Sequence, residues 1–202
     1  MQGDALRSFP MAPSPFQAEF RVLIGPDWVP LPFLEGLEAE AVDMYLRRAP
    51  VTCCSFQGGF FIDVGGQPFS DDGSVDELWM TWSWFFALKA LLDGAAETGV
   101  HPWEESHMRL WRQGDVLSME DRSASEKPIT PRVEVAFLHF AQSLARQGLA
   151  FLAWAERVLA ALEAREPPVP EALKTEFSRA LRLPRGVLEE VASRVGVTAS
   201  GG

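Results

Sequence analysis

The chain has 202 residues, 47% of them hydrophobic, and it carries a formal net charge of −10. This length and apolar content are enough for one domain with a substantial core. A negative charge of this size repels phosphate backbones, so we expect no nucleic-acid partner and favour a basic protein partner. The longest apolar run, 78–92, contains Ser83 and Lys89 and is shorter than the roughly 20 residues that span a bilayer, so we expect no membrane partner.

The N-terminal region predicts a loose arm, a strand and a helix. Prolines interrupt the first 15 residues, so no apolar secretory signal is expected there, and we predict a cytoplasmic protein whose residues 1–14 form a flexible arm. From Phe16 to Ile24 apolar and polar residues alternate, which predicts a half-buried strand. After Pro32 apolar residues recur at helical spacing as far as Tyr45, which predicts an amphipathic helix.

Residues 51–92 predict a hairpin followed by a buried helix. Two short β-prone runs, 51–56 and 60–64, are separated by a Gly-containing link that predicts a turn. The only cysteines, Cys53 and Cys54, are adjacent, which excludes a disulfide framework; we expect buried thiols, with a redox pair as the alternative. Ser74 and Glu77 match a capping box before the apolar run, whose length favours a helix at about 75–92 over a strand.

Residues 106–121 predict a second hairpin. A two-residue turn at Gln113-Gly114 would place Trp111 opposite Val116 and Leu110 opposite Leu117. Four apolar side chains then share the face that points to the core: Met108, Leu110, Leu117 and Met119. The other face carries His107, Arg109, Trp111, Ser118 and Glu120.

The C-terminal part predicts helices. Thr130-Pro131 is typical of a helix start, with Thr at the cap and Pro at the first helical position. Apolar residues recur at helical spacing as far as Leu162, which predicts long helical structure. Shorter helices are predicted at 171–181 and 184–194, with Pro184 in the first turn of the second one. Residues 188–200 resemble the first helix and turn of bacterial helix-turn-helix domains, but no recognition helix follows before Gly202, so DNA binding is not expected.

Strands in the front half and helices behind them predict an α+β fold. We expect a mainly antiparallel sheet in the front half, with a C-terminal helical layer packed on one face. The expected organisation is a single α+β domain at 15–166, a helical extension packed on it at 167–197 and a mobile tail at 198–202.

Charge and tryptophan are both concentrated in the front half. Residues 1–128 hold 20 acidic and 9 basic residues, a net charge of −11, and five of the seven tryptophans lie between Trp79 and Trp111. Aromatic anchors and carboxylates suit the recognition of a basic protein, so we predict a non-enzymatic protein-binding module with an acidic, Trp-rich face. An immunity-type or antitoxin-type inhibitor of a basic bacterial protein fits this profile. The predicted partner-binding residues are Asp71, Asp72, Trp103, Glu104, Glu105, His107, Arg109, Trp111 and Glu120.

Two alternatives remain open from the sequence. The first is a hydrolase or metal-assisted enzyme, whose acid–base or ligating groups would be His101, Glu104, Glu105, His107 and Glu120. His101 and His107 are six residues apart, a spacing that matches no familiar metal or nucleophile motif, so we predict no metal and no cofactor. The second alternative is a structural or regulatory subunit; the oligomeric state does not follow from the sequence.

Overall fold

The protein forms two antiparallel sheets and a helical layer, an α+β fold as predicted. The computed structural model describes residues 13–48, 57–70, 81–103, 106–123 and 130–198. In chain order its elements are β1 Phe16–Ile24, β2 Asp27–Pro30, a 3-10 turn Leu31–Phe33, α1 Glu38–Arg48, β3 Gly58–Val64, β4 Gln67–Ser70, α2 Ser83–Leu92, β5 Glu97–Trp103, β6 Ser106–Gln113, β7 Val116–Ser123, β8 Val133–Ala136, α3 Phe137–Glu163 and α4 Glu171–Arg194. None of the helices in these ranges is long and apolar enough to cross a membrane.

Sheet 1 has the strand order β2-β1-β3-β4 and packs its inner face on α3. The alternation predicted for β1 is confirmed, because Phe20 and Val22 are buried whereas Glu19 and Arg21 are only half-buried on the opposite side. Phe20 stacks on Phe151 of α3 with 4.7 Å between the ring centroids. This aromatic contact holds the centre of the sheet against the helix.

The strand β3 is paired differently from the prediction. Residues 51–56, the first arm of the predicted hairpin, lie outside the described residues, together with both cysteines. β3 pairs with β1 on one side and with β4 on the other. The chain reverses between β3 and β4 at Gly65 and Gly66, where φ is +64° and +81° and an L side chain would be strained. The hairpin that contains β3 is therefore completed by β4.

Sheet 2 has the strand order β5-β6-β7-β8, and its inner face packs against α2. The four side chains predicted to share the core face are fully buried: Met108, Leu110, Leu117 and Met119. The helix predicted at about 75–92 is confirmed over its described part, Ser83–Leu92, which contributes Trp84 and Phe85 to the same core.

The turn of the hairpin between β6 and β7 is corrected by one residue. The two turn residues are Gly114-Asp115, and Trp111 pairs with Ser118 instead of Val116. Gly114 has φ of +59°, so glycine is needed at the first turn position and not at the second. The pairing differs from the prediction by two residues, and because side chains alternate with a period of two, every side chain keeps its predicted face.

The predicted helix start at Thr130 is wrong. Val133–Ala136 forms β8, because two β-branched valines alternate with Glu134 and pair with β7. The Thr130 Oγ1 accepts the N–H of Asp121 in β7 at 3.1 Å instead of capping a helix. The long helix α3 begins only at Phe137.

The two short C-terminal helices predicted from Pro184 are in fact one continuous helix, α4. A proline inside a helix removes a backbone hydrogen bond and costs about 3 kcal/mol. Leu181, Leu188 and Val191 form a buried stripe on both sides of Pro184 in a helix that packs against α3 and α2. This packing outweighs the local cost. The predicted arm and tail fall mostly outside the described residues.

The beginning of β1 joins the two sheets and leaves an open edge. The Ser14 N–H donates to the Glu134 carbonyl of β8 at 2.8 Å. β2 pairs with β1 only from Arg21 onward. Between these two contacts, the Gln147 side-chain amide accepts the N–H of Phe20 and donates to the carbonyl of Ala18. A side chain of α3 thus substitutes for a neighbouring strand.

Candidate functional site

The outward face of sheet 2 brings together polar side chains that are far apart in the sequence. One row crosses all four strands and consists of Glu97, Trp111, Ser118 and Glu134. In the next row Arg109 lies opposite Glu120, and in the row after that His107 lies opposite Arg122. Strand pairing, and not sequence proximity, therefore creates the site.

A cluster of side chains joined by hydrogen bonds and by a cation–π contact surrounds Trp111. We call it the Trp111 patch; it consists of Glu97, Arg109, Trp111, Ser118, Arg132 and Glu134. The Trp111 Nε1 donates to Glu97 Oε2 at 3.0 Å, and the Arg109 Nε donates to Glu97 Oε1 at 2.8 Å. One carboxylate on β5 therefore positions both the indole and the guanidinium of β6.

The other half of the patch consists of Ser118 on β7, Glu134 on β8 and Arg132, which directly precedes β8. Arg132 Nη2 donates to Ser118 Oγ at 2.7 Å and to Glu134 Oε1 at 3.2 Å. The guanidinium carbons of Arg109 and Arg132 lie 5.0 and 5.5 Å from the Trp111 ring centroid, within cation–π distance. The half-buried Trp111 ring is therefore held by one hydrogen bond and two cations.

The patch is balanced in charge. It holds two carboxylates, Glu97 and Glu134, and two guanidiniums, Arg109 and Arg132. The hydrogen bond from Arg109 holds the pKa of the Glu97 carboxyl below its ordinary value, so this carboxylate stays charged. The acidic character predicted for the face does not come from the patch.

Two histidines and a buried carboxylate lie farther along the same sheet. The ring centroids of His101 and His107 are 5.8 Å apart. Asp121 belongs to the inner side of β7 and is only 5% exposed; burial raises the pKa of its carboxyl, and its Oδ1 has no hydrogen-bond partner within the described part of the chain. In that same part, no group of three or more His, Cys, Asp or Glu side chains is arranged to hold a metal ion.

The predicted partner-binding residues divide into three groups. The structure places four of them on the outward face of sheet 2: His107, Arg109 and Trp111, which are half-buried, and Glu120, which is only 9% exposed and pairs with Arg122. Trp103 ends β5 and pairs with Ser106 through the backbone. The acidic members Asp71, Asp72, Glu104 and Glu105 lie outside the described residues.

The tryptophan cluster is split between core and surface. Trp82 and Trp84 are 4% and 1% exposed and pack against phenylalanines of α2 and α3, so they are core residues and not recognition anchors. Among the tryptophans whose side chains the structure describes, only Trp111 joins the patch. Two of the five clustered tryptophans therefore belong to the core and not to the face.

Sequence reasoning missed Glu97, Arg132 and Glu134, because it predicted neither β5 nor β8. The alternation Glu97, Gly99 and His101 on one side of β5 was a usable but weak signal, since Gly and Pro interrupt it. For β8, the four-residue strand is shorter than a typical strand, and the cap-like Thr130-Pro131 pointed to a helix.

A cleft of about 810 Å³ runs along the open edge of β1, between the outward side chains of sheet 1 and α3. Its strand wall includes Gln17, Glu19, Arg21, Phe61 and Asp63. Its helix wall is one stripe of α3, made of Arg146, Gln147, Ala150, Trp154 and Arg157. The 3-10 turn and Glu35 border the end near Trp154.

The chain matches no protein-family model, no curated protein and no solved structure. A functional assignment therefore depends on the chemistry of these two surfaces.

Proposed function

We propose that the protein is a non-enzymatic binding module that holds a basic protein partner on the outward face of sheet 2. The observation that carries this proposal is the fixed geometry of Trp111. Because Glu97, Arg109 and Arg132 already hold the ring, little side-chain entropy is lost when a partner covers it. Trp and Arg are among the side chains that are enriched where most of the binding energy of a protein interface is concentrated.

Long-range charge supports a basic partner. The formal net charge is −10, and the excess of acid lies in residues 1–128. The patch itself is balanced in charge, so it contributes shape and rigidity and adds little to the long-range field. In this proposal the negative field speeds the approach of the partner, and the Trp111 ring slows its dissociation.

An inhibitor of the immunity or antitoxin type, acting in the cytoplasm, is the form of this function that we favour. Such a protein has to cover a basic active site, which requires an attracting negative field and a rigid anchor. The chain combines a net charge of −10 with a positioned indole. Neither feature requires a substrate to be turned over.

The first experiment identifies the partner and tests the anchor. The immobilised chain is used to recover proteins from its source organism, and the association and dissociation rates of the recovered protein are measured by surface plasmon resonance. Trp111→Ala is expected to raise the dissociation rate about tenfold or more and to leave the association rate nearly unchanged. Trp28→Ala is the matched control, because Trp28 is also half-buried but lies on sheet 1 against Phe61.

The second experiment tests the acidic side chains. Amide substitution of Asp71, Asp72, Glu104 and Glu105 is expected to slow association at low salt and to reduce its salt dependence. A control variant with four C-terminal amides, at Glu163, Glu166, Glu171 and Glu189, changes the net charge equally and is expected to slow association less.

Three results would contradict the proposal: recovery of no basic protein, an equal rise of the dissociation rate in the two tryptophan variants, or an equal fall of the association rate in the two amide variants. A catalytic turnover that His107→Ala abolishes would favour the enzyme instead.

A further inference from the structure

The cleft beside α3 has the size and the mixed lining of a small-ligand site. Its volume of about 810 Å³ lies within the range of about 300–1,000 Å³ that is usual for such sites. Apolar side chains such as Leu31 and Phe61 alternate with polar ones, including the exposed amide of Gln17. Ala150, exposed at the middle of the helix wall, leaves room where a longer side chain would fill the space.

The charges that line the cleft are equal in number and opposite in sign. Three are guanidiniums and three are carboxylates: Arg21, Arg146, Arg157, Glu19, Glu35 and Asp63. A site for a phosphate or another multiply charged anion needs an excess of cations. The balance favours a dipolar ligand, which carries one charge of each sign.

Most of these charges already have partners. Arg21 pairs with Glu19 at 2.6 Å, and its guanidinium lies 4.5 Å from the Phe61 ring centroid. Arg157 pairs with Glu38 of α1 at 2.8 Å. These side chains form part of the cleft walls. A ligand could bind to one of them only if an ion pair were broken.

Two opposite charges remain available. Asp63 Oδ1 accepts the N–H of Gly66 at 2.8 Å and so belongs to the turn between β3 and β4. Within the described ranges, neither Arg146 nor Glu35 makes an ion pair or a side-chain hydrogen bond, and both are exposed.

The two available charges lie at opposite ends of the cleft. Arg146 precedes Gln147, whose amide is bonded to the open edge of β1. Glu35 follows Leu34, whose carbonyl accepts the Trp154 Nε1 hydrogen at 3.1 Å. Positions 146 and 154 are eight residues apart on α3, which corresponds to about 12 Å along the helix axis. An extended peptide advances about 3.3 Å per residue, so about four residues span this distance.

We propose that this cleft binds a short peptide with free termini, placing the peptide carboxylate on Arg146 and the peptide ammonium on Glu35. The Gln17 amide supplies a donor and an acceptor to the peptide backbone, and Ala150 leaves space for its side chains. This site is independent of the Trp111 patch, so either proposal can fail without the other.

Isothermal titration calorimetry with tetra-alanine tests the proposal. We expect the peptide with free termini to bind, and both the C-terminal amide and the N-acetylated form to bind about tenfold more weakly, because each loses one charge-assisted contact. In Arg146→Gln, the free peptide and its amide are expected to bind equally well. In Glu35→Gln, the free and the acetylated peptide are expected to bind equally well.

The controls are two charge-matched substitutions outside the cleft, Arg179→Gln on α4 and Glu163→Gln at the end of α3, which are expected to leave the affinity and the effect of capping unchanged. Thermal melting of all four variants checks that each is folded; because Arg146 and Glu35 are exposed, we expect melting temperatures close to wild type. Absence of binding at millimolar tetra-alanine, or binding that capping does not weaken, would overturn the proposal. An equal loss of affinity for tetra-alanine in the cleft variants and in their controls would overturn it as well.

Discussion

The outward faces of the two sheets differ in how their charged side chains are satisfied. On sheet 2 the side chains of the Trp111 patch bond to one another around the indole. On sheet 1, α3 and the 3-10 turn rise beside β1 and enclose a cleft where Arg146 and Glu35 have no partner within the described residues. The comparison teaches that helix placement decides the kind of surface: a sheet face with preformed anchors suits a protein, and a walled edge suits a small ligand.

The largest expected effect comes from comparing a tryptophan of the core with the tryptophan of the patch. Trp84 is 1% exposed and packs on Phe140, so Trp84→Ala is expected to lower the free energy of unfolding by about 3–5 kcal/mol. Trp111 is half-buried on the outward face, and Trp111→Ala is expected to lower it by about 1 kcal/mol. Urea denaturation measures both. Similar losses of unfolding free energy would show that Trp111 is part of the core and would contradict its place in a surface patch.

An intermediate effect is expected where α3 crosses the other helices. α3 follows directly on β8 of sheet 2 and packs on sheet 1, so it connects the two regions. A Cβ added at Gly148 would lie 2.6 Å from Phe85 Cζ and 3.1 Å from both Leu188 methyl carbons. Phe85 and Leu188 are fully buried, so Gly148→Ala is expected to destabilise the fold by about 1–3 kcal/mol.

The matched control is Gly186→Ala in α4, where the added Cβ would meet nothing within 4 Å. There the better helix propensity of alanine is expected to raise stability by about 1 kcal/mol. Thermal and urea unfolding of both variants should therefore shift in opposite directions. Shifts of the same sign would argue against the close crossing at Gly148.

The smallest expected effect concerns the inner faces. The side chains that sheet 1 buries are uncharged, whereas sheet 2 also buries Asp121. Because burial raises the pKa of the Asp121 carboxyl, the folded protein keeps this proton at pH values where the unfolded chain has lost it. The contribution of Asp121 to stability therefore falls as pH rises from the ordinary pKa of aspartate through its raised value in the fold.

Asp121→Asn is expected to remove this penalty. The variant should unfold at a higher urea concentration than wild type at pH 7, and the difference should shrink as the pH is lowered toward about 4. Asp115→Asn, at the exposed hairpin turn, is the control and should show no such pH-dependent gain. A variant that is less stable than wild type at pH 7 would show that the buried carboxylate is compensated.

Local patterns in the sequence were sufficient to predict which face of β1, β6 and β7 is buried. The alternation in β1 and in the hairpin of β6 and β7 correctly separated core from surface, because a period of two is a property of the strand itself. Even the error at Gln113-Gly114 left His107, Arg109 and Trp111 on the predicted face, because the register moved by an even number of residues. The helices α1 and α2 were predicted for the same local reason.

Only the tertiary structure decided which elements became neighbours. The pairing of β8 with β7 turned a helix-like start at Thr130 into a strand and brought Glu134 and Arg132 to Trp111. Packing of α4 against α2 and α3 carried the helix through Pro184. The sequence by itself determined which face each residue of β1, β6 and β7 occupies; the fold determined which tryptophans are buried and which charges meet. Propensity and alternation act over a few residues, whereas burial and ion pairing also depend on contacts between residues far apart in the chain, such as Phe20 with Phe151 and Arg157 with Glu38.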